Sequence, residues 1–265
     1  MDVYQNGVLL VPATDYAAST GTSVVLVQGA SVDDTLELLV HDIFSVADSV
    51  SAKDGGTFSG TIAAAGLSTS SLGTSNFRAG VNAGDSIEAG GNYNVAVGDE
   101  AGTAITTGVE NTIIGSLAGD ALTDADFNVA VGSGALSTDT QGSRSVAIGR
   151  NVLGSQNFTS ATSVNNTAVG YEAGRNTTTG IDNCLFGSNA GYALTDADDN
   201  VALGRSALAT DTQGSKSTAV GNGALNAQNF TSATDSNNVA VGYNAGNDIT
   251  TGVQNTIVGS VAGDA

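Results

Sequence analysis

One short phrase, repeated at almost constant spacing, constrains this chain more than any other feature. It reads NVAVGDEAG at 94–102, NTIIGSLAG at 111–119, NVAVGSGAL at 128–136 and SVAIGRNVL at 145–153. Its glycines are Gly98, Gly115, Gly132, Gly149, Gly170, Gly187, Gly204, Gly221, Gly242 and Gly259, spaced by 17, 17, 17, 21, 17, 17, 17, 21 and 17 residues. The spacing pattern itself repeats, since Gly98 to Gly170 and Gly170 to Gly242 each span 72 residues. A period this short, with one strand-like stretch per unit, specifies a β-solenoid. Each unit supplies one rung and buries its apolar side chains against neighbouring rungs. The expected body is long and thin.

Within the phrase, three strand residues precede the glycine. Side chains alternate across a strand, so the first and third share a face and the second points the other way. The third is apolar throughout, from Val97 and Ile114 to Phe186 and Val258. The first is Val, Thr or Cys, a size suited to a partly buried ladder. The second is Ala in seven of ten phrases, and its exceptions, Ile113, Leu185 and Ile257, fall in the second rung of each 72-residue block. The glycine ends each strand, where a residue without Cβ can take positive φ or admit a neighbouring backbone. Two variable residues follow and then Ala, with Val152 as the exception. A rung therefore promises three or four buried side chains, mostly Val and Ala. That is too little apolar burial to offset the ordering of the chain. Partner chains are expected to cover a second apolar face, and a homotrimer is the arrangement a fibre most readily adopts.

Before the repeat the text changes. VYQNGVLLV places Asn6-Gly7, a strong hairpin signal, between apolar runs. Further strand runs follow at 23–27 and 35–44, with Pro12 marking a bend or edge. Residues 1–50 thus read as a small antiparallel β-domain, and 51–75 as a Gly, Ser and Thr connector with one short strand at 57–62. NFRAGVNAG at 76–84 reads as a degenerate first rung, which starts the solenoid of residues 76–265. The long spacings carry near-identical insertions, GSQNFTSATSVNN at 154–166 and NAQNFTSATDSNN at 226–238. Their Phe158 and Phe230 are candidate ligand contacts if they protrude to stack on a sugar; the alternative is that they tuck against the roll. The chain stops at GSVAGDA, which matches the mid-block GSLAGDA of 115–121, so it is expected to be a fragment or to have a tip beyond residue 265.

Charge narrows the function classes. Seven basic against 26 acidic residues give a net charge of −19, which opposes nucleic-acid binding. There is no apolar run of eighteen residues and no basic region followed by an apolar core at the N-terminus, so neither membrane insertion nor a Sec signal is expected, and the chain should be soluble. Cys184, the single cysteine, stands where other rungs have Val or Thr and reads as a packing residue. His41, alone in TLELLVHDIF, lacks companions for a metal set. The acidic turns TDADF (123–127) and TDADD (195–199) lack the ligand pattern of calcium loops and read as solvated turns. The Gly-rich fragments have no following Lys for a phosphate loop, no acidic pair stands out for glycoside cleavage, and Thr is not kept at one position as an ice lattice requires. No catalytic, cofactor or metal residues are therefore assigned.

NTAVGYEAG (166–174), SVAIGRNVL (145–153) and NVAVGYNAG (238–246) resemble the head repeats of YadA-type trimeric autotransporter adhesins. The resemblance spans 94–265 and implies a left-handed parallel β-roll packed as a homotrimer. YQNGVLLVPATDYAASTGTSVVLV, continuing to DDTLELLVHDIFSVAD, is similar to an adaptor module of tail fibres of tailed bacteriophages, including marine ones, and GGTFSGTI at 55–62 to a connector that recurs there. Together they imply an all-β, trimeric phage fibre on the virion. Its N-terminal domain would join other virion proteins, and its shaft would support attachment to a host cell-surface glycan or protein. A bacterial trimeric surface adhesin and a purely structural fibre of capsid, neck or extracellular space are the alternatives.

Overall fold

The structure is a computed structural model that describes residues 2–6, 8–10, 16–17, 25–26, 36–39 and 71–263. All-β throughout, it contains no helix among the described residues. The chain divides into two compact units, residues 1–64 and 65–265.

In the first unit, Asp2–Gln5 pairs antiparallel with Val8–Leu9 and with Leu36–Leu39, and Tyr16–Ala17 pairs antiparallel with Val25–Leu26. The register Gln5 to Val8 closes a two-residue loop in which Asn6 takes φ 54°, the left-handed conformation that the Asn-Gly signal anticipates. Val3 is fully buried. His41, Pro12, the strand expected at 57–62 and most of the connector lie outside the described residues.

The second unit is a parallel β-solenoid. Its main sheet has eleven strands, one from each rung, all parallel and in register. Rungs 1 to 11 carry Phe77–Ala79, Val95–Val97, Thr112–Ile114, Val129–Val131, Val146–Ile148, Thr167–Val169, Cys184–Phe186, Val201–Leu203, Thr218–Val220, Val239–Val241 and Thr256–Val258. The degenerate phrase at 76–84 is thus rung 1. Ten steps of about 4.8 Å give the sheet a length of roughly 48 Å.

The interior departs from the expected mixture of Val and Ala. Second positions such as Ala96, Ile113, Ala130, Ala147, Ala168 and Leu185 point inward and are fully buried. In rungs 1 to 10 the Ala or Val three residues past the glycine joins them. First and third positions face out, so Val97 and Val131 are only half-buried while Ile114 and Ile148 are exposed. The alternation was legible; which face turned inward was not. The inward position takes a methyl-sized Ala in most rungs and the larger Ile113 and Leu185 in rungs 3 and 7, where Gly119 and Gly191 leave room for them.

Two further columns complete the core, and they trade volume. Where the fourth residue past the phrase glycine is Gly (84, 102, 119, 174, 191, 246), the seventh is Ile87, Ile105, Leu122, Thr177, Leu194 or Ile249. Where the fourth is Leu136, Leu153, Leu208 or Leu225, the seventh is Asp139, Gln156, Asp211 or Gln228. The glycine is required beside the large residue: a Cβ on Gly119 would lie 2.8 Å from Leu122 Cδ1 and 3.1 Å from Ile113 Cδ1. Rung 6 with Thr177 apart, rungs 1 to 10 therefore fill a fixed cross-section either with an apolar seam or with Leu plus a buried polar group.

Candidate functional site

The phrase glycines form one column along the solenoid. Gly98 sits at φ 134° and Gly187 at φ 135°, and a Cβ on either would lie 2.6 Å from the carbonyl carbon or oxygen of the next rung's glycine. Both reasons anticipated for a glycine apply together, the left-handed backbone and the close approach. This column fixes the stacking and offers no side-chain chemistry.

Beside it runs a buried asparagine ladder, which the phrase-centred reading missed. The residue preceding each strand is Asn except at Ser145 and Ser217. Asn111 N–H donates to Asn94 Oδ1 at 2.9 Å, and Asn128 N–H to Asn111 Oδ1 at 2.9 Å. From Asn94 to Asn238 each amide also donates through Nδ2 to a carbonyl fourteen residues on, as Asn111 does to Ala125 at 2.7 Å and Asn183 to Ala197 at 2.7 Å. Backbone groups that the turns would leave unpaired are thereby satisfied inside the coil.

At the two serines the ladder loses its amide, and the inserted loops replace it. Gln156 donates from Nε2 to Asp139 Oδ2 (2.5 Å) and Ser145 Oγ (3.1 Å), while its Oε1 accepts from Asn166 Nδ2 (2.9 Å). Asp139 Oδ1 accepts from the N–H groups of Gly142 (3.0 Å) and Phe158 (2.9 Å). Gln228, Ser217, Asn238 and Asp211 repeat the arrangement one block later. The insertion is thus tied to the core by its Gln. The signal was present in the sequence, as Ser in place of Asn coupled to a Gln eleven residues on.

Phe158 and Phe230 are 9% and 7% exposed. Both rings tuck against the roll, the second of the two readings the sequence left open. The loops they anchor form short parallel pairs with the preceding layer, Gly142–Ser143 with Thr162–Ser163 and Gly214–Ser215 with Thr234–Asp235. Cys184 is half-buried on the outer face of rung 7.

The acidic turns bond back to the layer before them. Asp124 Oδ1 accepts from Thr107 Oγ1 at 2.6 Å, and Asp196 Oδ1 from Thr179 Oγ1 at 2.7 Å. Asp126 and Asp198 accept from the N–H groups of Val109 and Ile181, each at 2.8 Å. Partial burial raises the Asp198 carboxyl above the usual carboxylate range, and the charges of Asp196, Asp199 and Asp182 push the same way against the Ile181 hydrogen bond. Burial likewise raises Asp120, with Glu100 adding to it. Among the described residues, no three His, Cys, Asp or Glu side chains group as a metal set, and no helix is long and apolar enough to cross a membrane.

What remains on the surface is an apolar stripe. Along the outer face of the main sheet lie Ile114, Ile148, Phe186, Leu203, Val241 and Val258, between 37% and 70% exposed. Their neighbours at the first strand position are Val, Thr and Cys. The fold and these surfaces define a parallel β-solenoid protein with an exposed apolar sheet face. No known family, curated protein or solved structure matches the chain.

Proposed function

We propose that this chain is a structural, non-catalytic fibre subunit of a tailed bacteriophage, a homotrimeric shaft that supports attachment to a host cell surface. The observation that carries the reading is the outward apolar stripe, eleven strands long. Contiguous exposed apolar surface marks an interaction face. Because the stripe repeats with every rung, the partner that matches it along its whole length is one with the same period, a further copy of the chain in register. Three such faces meeting about one axis close the assembly and leave no apolar face in water. The short antiparallel pairs near the N-terminus are compatible with an adaptor that joins other virion proteins. Three chains per fibre and several fibres per particle would turn weak contacts with a host glycan or protein into firm attachment.

Light scattering on the purified chain tests the assembly: a trimer is expected, and replacing Ile148 and Val169 by Asp should yield monomers. A wild-type monomer with its solenoid intact would sink the trimer. Immunogold labelling of the native source tests the setting. Label on particle fibres supports a virion component; label confined to uninfected cell surfaces favours a bacterial adhesin instead. A correctly located fibre that neither binds host cells nor blocks infection would favour the purely structural reading.

A further inference from the structure

The two 72-residue blocks are near-copies, so a place where one departs from the other in several neighbouring residues at once invites a chemical reading. One such place is the groove beside the first inserted loop, a cleft of about 200 Å³ lined by Asp126, Phe127, Ser143, Arg144, Thr162 and Ser163 with Ala161 at its rim. It spans three successive layers of the coil. Phe127 is 45% exposed, and the Arg144 guanidinium carbon lies 5.9 Å from the centre of its ring, within cation–π range. Among the described residues no ion pair joins Arg144 to a carboxylate.

One block later Asp126, Ser143, Ala161 and Thr162 recur as Asp198, Ser215, Ala233 and Thr234, but Phe127 becomes Asp199, Arg144 becomes Lys216 and Ser163 becomes Asp235. There Lys216 Nζ bonds Asp235 Oδ2 at 2.6 Å. That bond, followed by the charges of Asp235, Asp199 and Asp198, raises the ammonium further. The second groove is occupied by its own salt bridge and lined by acid. The first has the aromatic ring with the guanidinium over it, no carboxylate paired to Arg144, and three hydroxyls.

We propose that the groove around Phe127 and Arg144 binds one ring of an acidic saccharide. Phe127 offers an apolar face to the C–H side of a pyranose, and Arg144, a planar fork of donors, takes the carboxylate. Ser143, whose Oγ already accepts from the Asp126 N–H at 2.9 Å, has its hydroxyl proton left to donate. At the other wall Ser163 supplies a hydroxyl, Thr162 Oγ1, which donates to the Ser160 carbonyl at 2.9 Å, can accept, and the Asp126 Oδ2 that the Val109 N–H leaves open accepts from sugar hydroxyls. The cleft is smaller than the roughly 300–1,000 Å³ of sites for drug-sized ligands, which suits a single ring. A chain of net charge −19 repels anions generally, so an acid held here needs this local arrangement and not bulk attraction. The proposal rests on the attachment reading only for the source of the sugar, an external surface; binding itself needs only the groove.

The test is ligand-observed NMR and calorimetry on the full chain, with N-acetylneuraminic acid and oligogalacturonate as probes and galactose as the neutral control. One site per chain is expected, with galactose at least tenfold weaker. Arg144→Gln and Phe127→Ala should each weaken binding by about tenfold or more, whereas Arg205→Gln should leave it unchanged. Ser163→Asp should close the groove by supplying the acid that Asp235 supplies one block later. The reciprocal change, Asp199→Phe with Lys216→Arg and Asp235→Ser, should raise the stoichiometry to two. No binding of either acidic probe, equal binding of galactose, or full binding by Ser163→Asp in a folded chain would overturn the proposal. None of these results bears on where the fibre is located.

Discussion

The first two rungs of each 72-residue block and the last two enclose the same cross-section by different means. In rungs 2, 3, 6 and 7 a glycine makes room for Ile105, Leu122, Thr177 or Leu194. In rungs 4, 5, 8 and 9 a leucine takes that room, and the neighbouring place goes to Asp139, Gln156, Asp211 or Gln228, all fully buried. The apolar seam needs only volume; the polar seam needs volume and a closed set of hydrogen bonds. A solenoid can therefore carry long loops on some rungs without opening, provided the loop sends back a side chain that completes the set. Gln156 and Gln228 do so.

The largest effect is expected where both kinds of rung share one requirement. Gly187→Ala in an apolar-seam rung and Gly132→Ala in a polar-seam rung should each cost about 3 kcal/mol or more, from left-handed backbone strain and a clash with the next glycine. Loss of the cooperative unfolding transition, or protease cleavage near the substitution, would register it. A cost much smaller in one kind of rung would mean that the two differ in backbone as well as in filling.

Gln156→Ala comes next. It leaves Asp139 Oδ2, Ser145 Oγ and Asn166 Nδ2 each short of a partner, and buried unsatisfied groups cost about 1–3 kcal/mol apiece. Adding Ser145→Asn should recover part of the loss by restoring the ladder amide, a coupling that a double-mutant cycle on chemical denaturation would measure. Strict additivity of the two changes would refute the idea that Gln replaces the missing Asn. Leu122→Ala, the apolar counterpart, should cost about 2–5 kcal/mol through its cavity, with no comparable rescue from a polar partner.

Thr177 is the residue that fits neither scheme. It stands where its block-mates have Ile105 and Ile249, and its buried Oγ1 has no hydrogen-bond partner. Thr177→Ile should stabilise the solenoid by about 1 kcal/mol, through relief of that atom and added apolar burial. A lowered melting temperature would show that rung 6 lacks the room its block-mates have.

The smallest effect concerns pH. Asp120 and Asp198 titrate above the ordinary carboxylate range in the folded chain, so folding favours their protonated forms. Their contribution is therefore fully present below the unfolded carboxylate value and is lost as pH rises through the raised folded value. Thermal melts from neutral pH down towards the carboxylate range should show modest stabilisation on acidification, flattened by Asp198→Asn in a polar-neighboured turn and by Asp120→Asn after an apolar-seam rung. An unchanged slope in both variants would place the pH dependence elsewhere among the acidic residues.

Much of this was legible in the sequence, because a 17-residue period leaves few ways to stack strands. The glycine column, the rung boundaries, the degenerate rung at 76–84 and the alternation within each strand all follow from spacing and side-chain direction. The Asn ladder and the exchange of Gly–Leu for Leu–Asp were also written there, as columns at fixed offsets, but reading outward from the strand phrase passes over residues that lie in turns. Phe158 and Phe230 could not be placed, since an aromatic in a polar loop is compatible with either side of it.

The sequence by itself determined the period, the parallel register and the positions that admit only glycine, because each is a local consequence of chain length and backbone sterics. Only the tertiary structure decided which strand face is inside. Alternation is symmetric to inversion, and the choice depends on how much width the closed coil leaves between opposite walls. The inward second position takes Ala, with Ile113 and Leu185 in rungs 3 and 7, and the first and third positions with their Val, Ile and Phe turn outward, which is why the apolar stripe lies on the surface of the molecule.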